Sequence, residues 1–335
     1  MRKKKFVLIS IILIIAIIVS SLISLNLGVI SISPSDVWKT IIGDGTDQQE
    51  LVLFQFRLPG IILALLIGMG LAVSGAVLQS ITQNELAEPG IIGINAGAGL
   101  SIVLFIYFFQ QNITADSPIS IFIMPVFALA GAFIAALLIY LLSWRNGISP
   151  IRLILVGIGV NAGFHAGLII FQLKMDPPQD FRQVTVWLTG DIWSANWTFV
   201  YALLPWIILL IPLVIWKANT LNVMNLTDSV ASSLGTKVER ERLLLLLLAV
   251  ALAGGASVAA GGGIAFLGLI APHIARRIIG PMHQLMIPIS ALIGAFIVIS
   301  ADIVAENLFS PTTLPVGVII ALMSAPYFIY LLLKT

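Results

Sequence analysis

Long uninterrupted apolar runs alternate with short polar ones along the whole chain. They cover about 6–30, 58–82, 91–111, 118–142, 150–173, 198–217, 242–262, 264–279, 284–306 and 312–333. A bilayer crossing takes about 20 apolar residues, so the pattern predicts an all-α polytopic membrane protein of about ten transmembrane helices. Residues 1–335 read as a single membrane domain with no separate water-soluble part. The first run is longer than the roughly 7–15 residues of a secretory signal core, and no convincing small-x-small cleavage site closes it, so it reads as a spanning helix. The run over 264–279 is short and carries Gly268 and Pro272, and is expected to be tilted, broken or partly re-entrant.

The basic residues orient these helices. With the head Met1–Lys5 inside and the sides alternating, Arg2, Lys3, Lys4, Lys5, Arg145, Arg152, Lys217, Lys237, Arg240, Arg242, Arg276, Arg277 and Lys334 fall inside. Only Lys39, Arg57, Lys174 and Arg182 fall outside, so 13 of the 17 basic residues are cytoplasmic. That excess predicts an even number of crossings with both termini in the cytoplasm.

Composition agrees: 59% of residues are hydrophobic and 10% charged, against roughly 25% charged in a soluble globular protein. The mean hydropathy is +1.09. The 28 glycines suit close helix packing, and the lack of cysteine removes disulfides, thiolate metal sites and cysteine nucleophiles. A net charge of +2 gives no reason to expect a nucleic-acid partner.

Three polar stretches stand out. The outer loop near 31–57 holds Ser33, Pro34, Asp36 and the turn-forming Gly43-Asp44-Gly45. The outer loop near 174–197 holds Pro177, Pro178 and the interfacial tryptophans Trp187, Trp193 and Trp197. The third, 217–242, is the one sizeable inner loop. There Thr227 and Asp228 are good helix N-caps, Val230 to Leu234 can form a short helix, and Gly235 can end it.

Several kinds of chemistry are missing from the sequence. Gly235-Thr236-Lys237 resembles the end of a Walker A loop, but Val230 stands where that loop needs its first glycine. No His-Glu-x-x-His or Gly-x-Ser-x-Gly motif occurs. An ion-coupled carrier keeps ionisable groups near the midplane, and only His165 lies deep in a predicted span, with Asp302 and Glu306 towards the outer end of theirs. The chain reads as a translocation path without its own motor. An ion-coupled secondary transporter and a lipid-modifying membrane enzyme are the rival classes.

The most specific segment runs from Arg57-Leu58-Pro59 through Gly68, Gly70 and Ser74-Gly75-Ala76-Val77-Leu78-Gln79 to Asn84-Glu85-Leu86-Ala87-Glu88-Pro89-Gly90-Ile91-Ile92-Gly93. Near the C-terminus come Gly263-Ile264-Ala265-Phe266-Leu267-Gly268-Leu269, Ala271-Pro272-His273-Ile274-Ala275-Arg276, Ala301-Asp302, Leu314-Pro315-Val316-Gly317 and Ala325-Pro326. As an ordered set, spread over nearly the whole chain, these residues resemble the FecCD-type permeases of ATP-binding-cassette importers for iron siderophores, haem and cobalamin. Pro59, Gly75, Asn84, Pro89, Gly93, Gly268, Pro272, His273, Pro315 and Gly317 are the structural positions of that pattern.

The resemblance implies a type II importer permease architecture in the bacterial plasma membrane, surrounded by membrane lipids. It implies no cofactor in this chain, with ATP and Mg on a separate cytoplasmic ATPase dimer and an extracellular or periplasmic substrate-binding protein as a further partner. Ferric siderophores are the expected substrate, with haem or cobalamin as alternatives. The inner loop becomes the ATPase-coupling element, with Thr227, Asp228, Ala231, Gly235, Lys237 and Arg240 as its residues. Arg57 stands where the family docks the binding protein, whereas Gly60 replaces a family arginine and Glu306 occupies an often-basic position. Those missing charges favour pairing with a second, related permease chain over a homodimer. From residue type and position, Ser74, Leu78, Gln79, Asn161 and His165 are expected to line the translocation path.

Overall fold

A computed structural model describes residues 2–27, 32–109, 118–145, 147–175, 185, 188–192, 195–258, 262–308 and 313–334. Pro177, Pro178, Arg182, Trp187 and Trp193 of the polar stretch near 174–197 lie outside the described residues. The described chain is helical, and its one extended pairing is the isolated bridge between Trp144 and Ile148.

Helix α1 (Arg2–Asn26) is followed by the short α2 (Pro34–Ile41) and α3 (Asp47–Glu50). Ser33 caps α2 by accepting from the Asp36 N–H, with Pro34 in the first turn. Thr46 and Gln49 form a reciprocal capping box on α3, with bonds of 2.9 and 3.3 Å. A π-helical segment, Leu51–Arg57, joins α3 to α4 (Leu58–Thr82), then come α5 (Pro89–Ile92), α6 (Ile94–Phe109), α7 (Pro118–Ser143) and α8 (Pro150–Leu173). Next are α9 (Trp197–Trp216), α10 (Ala218–Met224), α11 (Asp228–Ser233) and α12 (Val238–Val250), which continues into a π segment at Ala251–Val258. The chain ends with α13 (Leu267–Ile279), α14 (His283–Asn307) and α15 (Val316–Lys334).

Among the described residues, six helical stretches are long and apolar enough to cross a membrane: α1, Asp47–Thr82, Val126–Ser143, α8, α9 and α14. Two shorter apolar helices, Ile94–Phe109 and Val316–Tyr330, fall on two further predicted runs. The last two runs meet α12 with its π segment, and the 13-residue α13. The break expected near 264–279 sits at Phe266, whose left-handed φ of 66° stops any helix from entering α13 from upstream.

Helix α4 is the centre of the bundle. In its most apolar window 83% of residues are buried, against 6% for α1 and 17% for α8. It packs against α14, α13, α9 and α12. Lipid tails are as apolar as leucine, so close backbone approach rather than hydrophobic burial favours helix association here. At Gly68 an added Cβ would run into the Gly294 backbone of α14, and at Gly75 it would run into the Gly268 backbone of α13. The Ser74 hydroxyl then donates to the Ala249 carbonyl at 2.8 Å, and Gln79 Nε2 donates to the Gly268 and Leu269 carbonyls at 3.3 and 3.2 Å. Both side chains are buried.

Replacing Gly75 with valine should force α4 and α13 apart and cost at least the roughly 1–3 kcal/mol of overpacking. The expected outcome is a lower unfolding temperature and less monodisperse protein in detergent chromatography. Gly159→Ala, at a position where a Cβ meets open space, should leave both unchanged.

Candidate functional site

The polar contacts gather at two ends of the bundle. At one end the link between α9 and α12 is built from the residue types its sequence suggested. Thr227 is extended and precedes α11, although its hydroxyl pairs with Ser229 Oγ at 3.1 Å instead of capping the helix backbone. Gly235 follows α11 at φ 84°, its N–H donating to the Ser232 carbonyl (2.9 Å) while the Thr236 N–H reaches the Ala231 carbonyl (3.1 Å). That pair of bonds is a Schellman closure, and the left-handed position is why glycine stands there. Ala231 is fully buried, whereas Val230 and Leu234 are 45% and 64% exposed. Lys237 and Arg240 are exposed beside them. Helix α11 therefore stands on Ala231 and offers two apolar tips, ringed by serines and charges, to whatever lies beyond.

Arg242 fixes this element to the bundle. Its side chain is 1% exposed, and Nη2 donates to both Asp228 carboxylate oxygens at 2.8 and 3.1 Å. Nη1 donates to the Ile148 carbonyl at 3.0 Å and lies 3.6 Å from Glu239. One guanidinium thus joins the first residue of α11 to the turn between α7 and α8. Lys217 and Glu241 pair at 2.8 Å and close the base of the link. A second bracket runs through α10: Asn222 Oδ1 accepts from the His283 N–H (3.0 Å) and lies 2.7 Å from His283 Nδ1, and His283 Nε2 lies 2.6 Å from Ser80 Oγ of α4. Gln83 donates to the Met224 and Leu226 carbonyls at 3.0 and 2.8 Å.

The break between α4 and α5 lies at the same end. The Asn84 side chain accepts from the Leu86 N–H at 2.9 Å, Pro89 opens α5, and Gly93 turns left-handed at φ 99°, where a Cβ would press on Asn161. Glu85 bonds Arg276 at 2.5 Å and lies 3.5 Å from His273, which is buried beside Pro272 in α13. Glu88 is 3% exposed and its carboxylate accepts from the Phe266 N–H, so the two helix breaks touch. Burial pushes its carboxyl from the ordinary 4.5 up to about 7, and the Phe266 bond opposes this only in part.

At the opposite end, Arg57 Nη1 donates to Glu306 Oε2 at 2.7 Å, with side chains 12% and 15% exposed. Both line a cavity of about 220 Å³ together with Gly60, Ala195 and the buried Asp302. Pro59 sits in the first turn of α4 just beneath. Pro315 immediately precedes α15, and the Gly317 N–H donates to the Gly190 carbonyl at 3.1 Å.

The five residues expected to line the path divide. Ser74, Leu78 and Gln79 are enclosed by other helices of the same chain and serve packing in this conformation. Asn161 is half-buried and His165 exposed on α8, alongside Gly159 and Gly163, which face open space. Sequence reasoning missed Arg242 and Asn222 as positioning residues. The usable signal for Arg242 was a cation directly ahead of six consecutive leucines, a place where burial demands a partner. Among the described residues no three His, Asp or Glu side chains are grouped to hold a metal ion.

The fold is that of a polytopic helical membrane protein. The chain belongs to the FecCD transport family, which it matches over residues 13–334. It is a permease of the ATP-binding-cassette importer type and not an enzyme. It is 57% identical to the iron(3+)-hydroxamate import system permease protein FhuG of Bacillus subtilis, over 95% of this chain and 94% of the relative. It is 44% identical to the iron-uptake system permease protein FeuC of the same organism, over 95% of each. A solved structure described as an inward-facing conformation of a metal-chelate type ABC transporter superposes with a TM-score of 0.85 at 30% identity, covering 98% of this chain and 99% of that one.

Arg242→Ala leaves the Ile148 carbonyl without its donor while the half-exposed Asp228 returns to water, and should cost about 1–3 kcal/mol, the penalty of an unsatisfied buried acceptor. Arg240→Ala, at an exposed position, should stay within about 0.5 kcal/mol; thermal unfolding in detergent compares the two.

Glu88 sets a pH dependence. Between about 4.5 and about 7 the folded chain holds a proton that the unfolded chain releases. Its contribution to stability is therefore complete below that window, falls as pH rises through it and is level above it. Unfolding temperatures measured across this range should show the decline, and Glu88→Gln should flatten it.

Proposed function

We propose that this chain is one half of the translocation unit of a bacterial plasma-membrane importer for ferric siderophores of the hydroxamate class. The observation that carries the substrate class is the 57% identity, along nearly the full length of both chains, to an iron(3+)-hydroxamate import permease. In this reading residues 1–335 form one permease domain crossing the membrane ten times with both termini in the cytoplasm. Support for that topology comes from the contacts themselves. Arg276, Arg242 and Lys217, which the charge rule places inside, bond Glu85, the Ile148 carbonyl and Glu241 at one end of the bundle, and Arg57, which it places outside, pairs with Glu306 at the other.

The loop 217–242 is the coupling element, and α11 is the helix that enters a cleft on a separate ATPase, which holds ATP and Mg. Val230 and Leu234 provide the apolar contact and Lys237 and Arg240 its charged rim. Because Arg242 and Asn222 tie this element to the α7–α8 turn, α4 and α14, closure of the ATPases moves those helices together with α11. ATP shifts the permease only by favouring one conformation over the other. A second, related permease completes the pathway, and the open α8 face carrying Asn161 and His165 lies towards it. A substrate-binding protein delivers the chelate to the end that holds Arg57.

The test is ATP-dependent uptake of radiolabelled ferric hydroxamate siderophore into proteoliposomes holding this chain, its partner permease, the ATPase and the binding protein. Omitting any one component should abolish uptake. Val230→Asp with Leu234→Asp should reduce uptake about tenfold or more, equivalent to roughly 1.4 kcal/mol of lost docking. Uptake by this chain alone, driven by an ion gradient and indifferent to ATP, would overturn the reading.

A further inference from the structure

The outer-end arginine of this chain is already occupied. Arg57 donates to Glu306 at 2.7 Å, with only 12% of its side chain exposed, and the acidic residue comes from α14, 249 positions away. Asp302 lies in the same cavity one helical turn deeper. Beside the pair the wall is bare: Gly60 has no side chain, and a Cβ there would meet only Ala195, at 3.9 Å. The mouth of the cavity thus has room for one inserted side chain next to a cation that is not free to receive it.

We propose that Glu306 is an internal competitor for docking: a carboxylate side chain from the substrate-binding protein enters over Gly60 and Ala195, takes Arg57 from Glu306, and releases it again when the complex separates. This rests on the reading of Arg57 as a docking residue. Physically, docking at this subunit exchanges one ion pair for another. The gain is then the difference between two similar energies rather than a whole pair, so contact here is weak and quickly reversed. A binding protein that must leave after each delivery is served by such an exchange. With Glu306 engaged, the chain also offers no bare arginine on its outer face to other anions at this position.

The experiment measures the dissociation constant between the assembled importer in lipid nanodiscs and its binding protein loaded with ferric hydroxamate siderophore. Glu306→Gln keeps the size of the side chain and removes the competing charge, and should tighten binding about threefold or more, as expected for a partly exposed ion pair no longer lost in the exchange. Gly60→Leu fills the mouth without touching the pair and should weaken binding, giving a second variant that does not depend on how Glu306→Gln folds. Arg57→Ala serves as the reference and should weaken binding. Unchanged or weaker binding by Glu306→Gln, with Arg57→Ala weakened, overturns the competition and leaves Arg57 as a docking residue. Unchanged binding by Arg57→Ala overturns the docking reading itself, and the competition with it.

Discussion

The bundle depends on backbone meeting backbone along α4. Gly68 against Gly294 and Gly75 against Gly268 bring three helices to distances that no side chain permits. These contacts then set where the polar groups of neighbouring helices lie. The Gly268 and Leu269 carbonyls come within reach of Gln79, and the Ala249 carbonyl within reach of Ser74. In a bilayer the helices have nothing to gain from hiding leucine from lipid, so such crossings and the hydrogen bonds they allow carry specificity that burial carries in water.

From that centre two kinds of joint extend. At the end that holds α11, Arg242 and His283 are buried while their partners Asp228 and Asn222 lie nearer the surface, and these ties connect a small surface helix to long buried ones. A buried guanidinium with partners on separate segments is costly to desolvate and strongly directional. It suits a part that must move as one piece with its neighbours. At the opposite end Arg57 and Glu306 pair at the cavity mouth, with 12% and 15% of their side chains exposed.

Much of this was legible in the sequence, for reasons that differ by residue. The break at Asn84–Gly93 could be read because Asn, Pro and Gly each impose a local backbone geometry that neighbours cannot override, and the closure of α11 at Gly235 for the same reason. The expected helix over Val230–Leu234 lies within a residue or two of the observed Asp228–Ser233. Ser74, Leu78 and Gln79 show the opposite case. A polar residue on a glycine-rich span looks the same whether it faces a path or a carbonyl of the next helix, and only the crossing partner decides. Arg242 was counted towards the sidedness of the loop without its burial being visible, since its partners are 14 and 94 residues away. Arg57 and Glu306 were both singled out, but that they meet is a tertiary fact.

The π-helical stretch over Leu51–Arg57 gives the cavity rim a separate degree of freedom. A π turn closes its hydrogen bonds over five residues rather than four, so it accommodates surplus residues inside an otherwise continuous helix. The register of everything upstream is therefore set independently of the register of α4. Removing one residue from this stretch would turn the preceding backbone by about 100°. Val52 and Phe56 would leave the cavity wall while Gly60, Asp302 and Glu306 stayed in place. Single-residue insertions and deletions here can reshape the cavity rim without disturbing the glycine crossings below it.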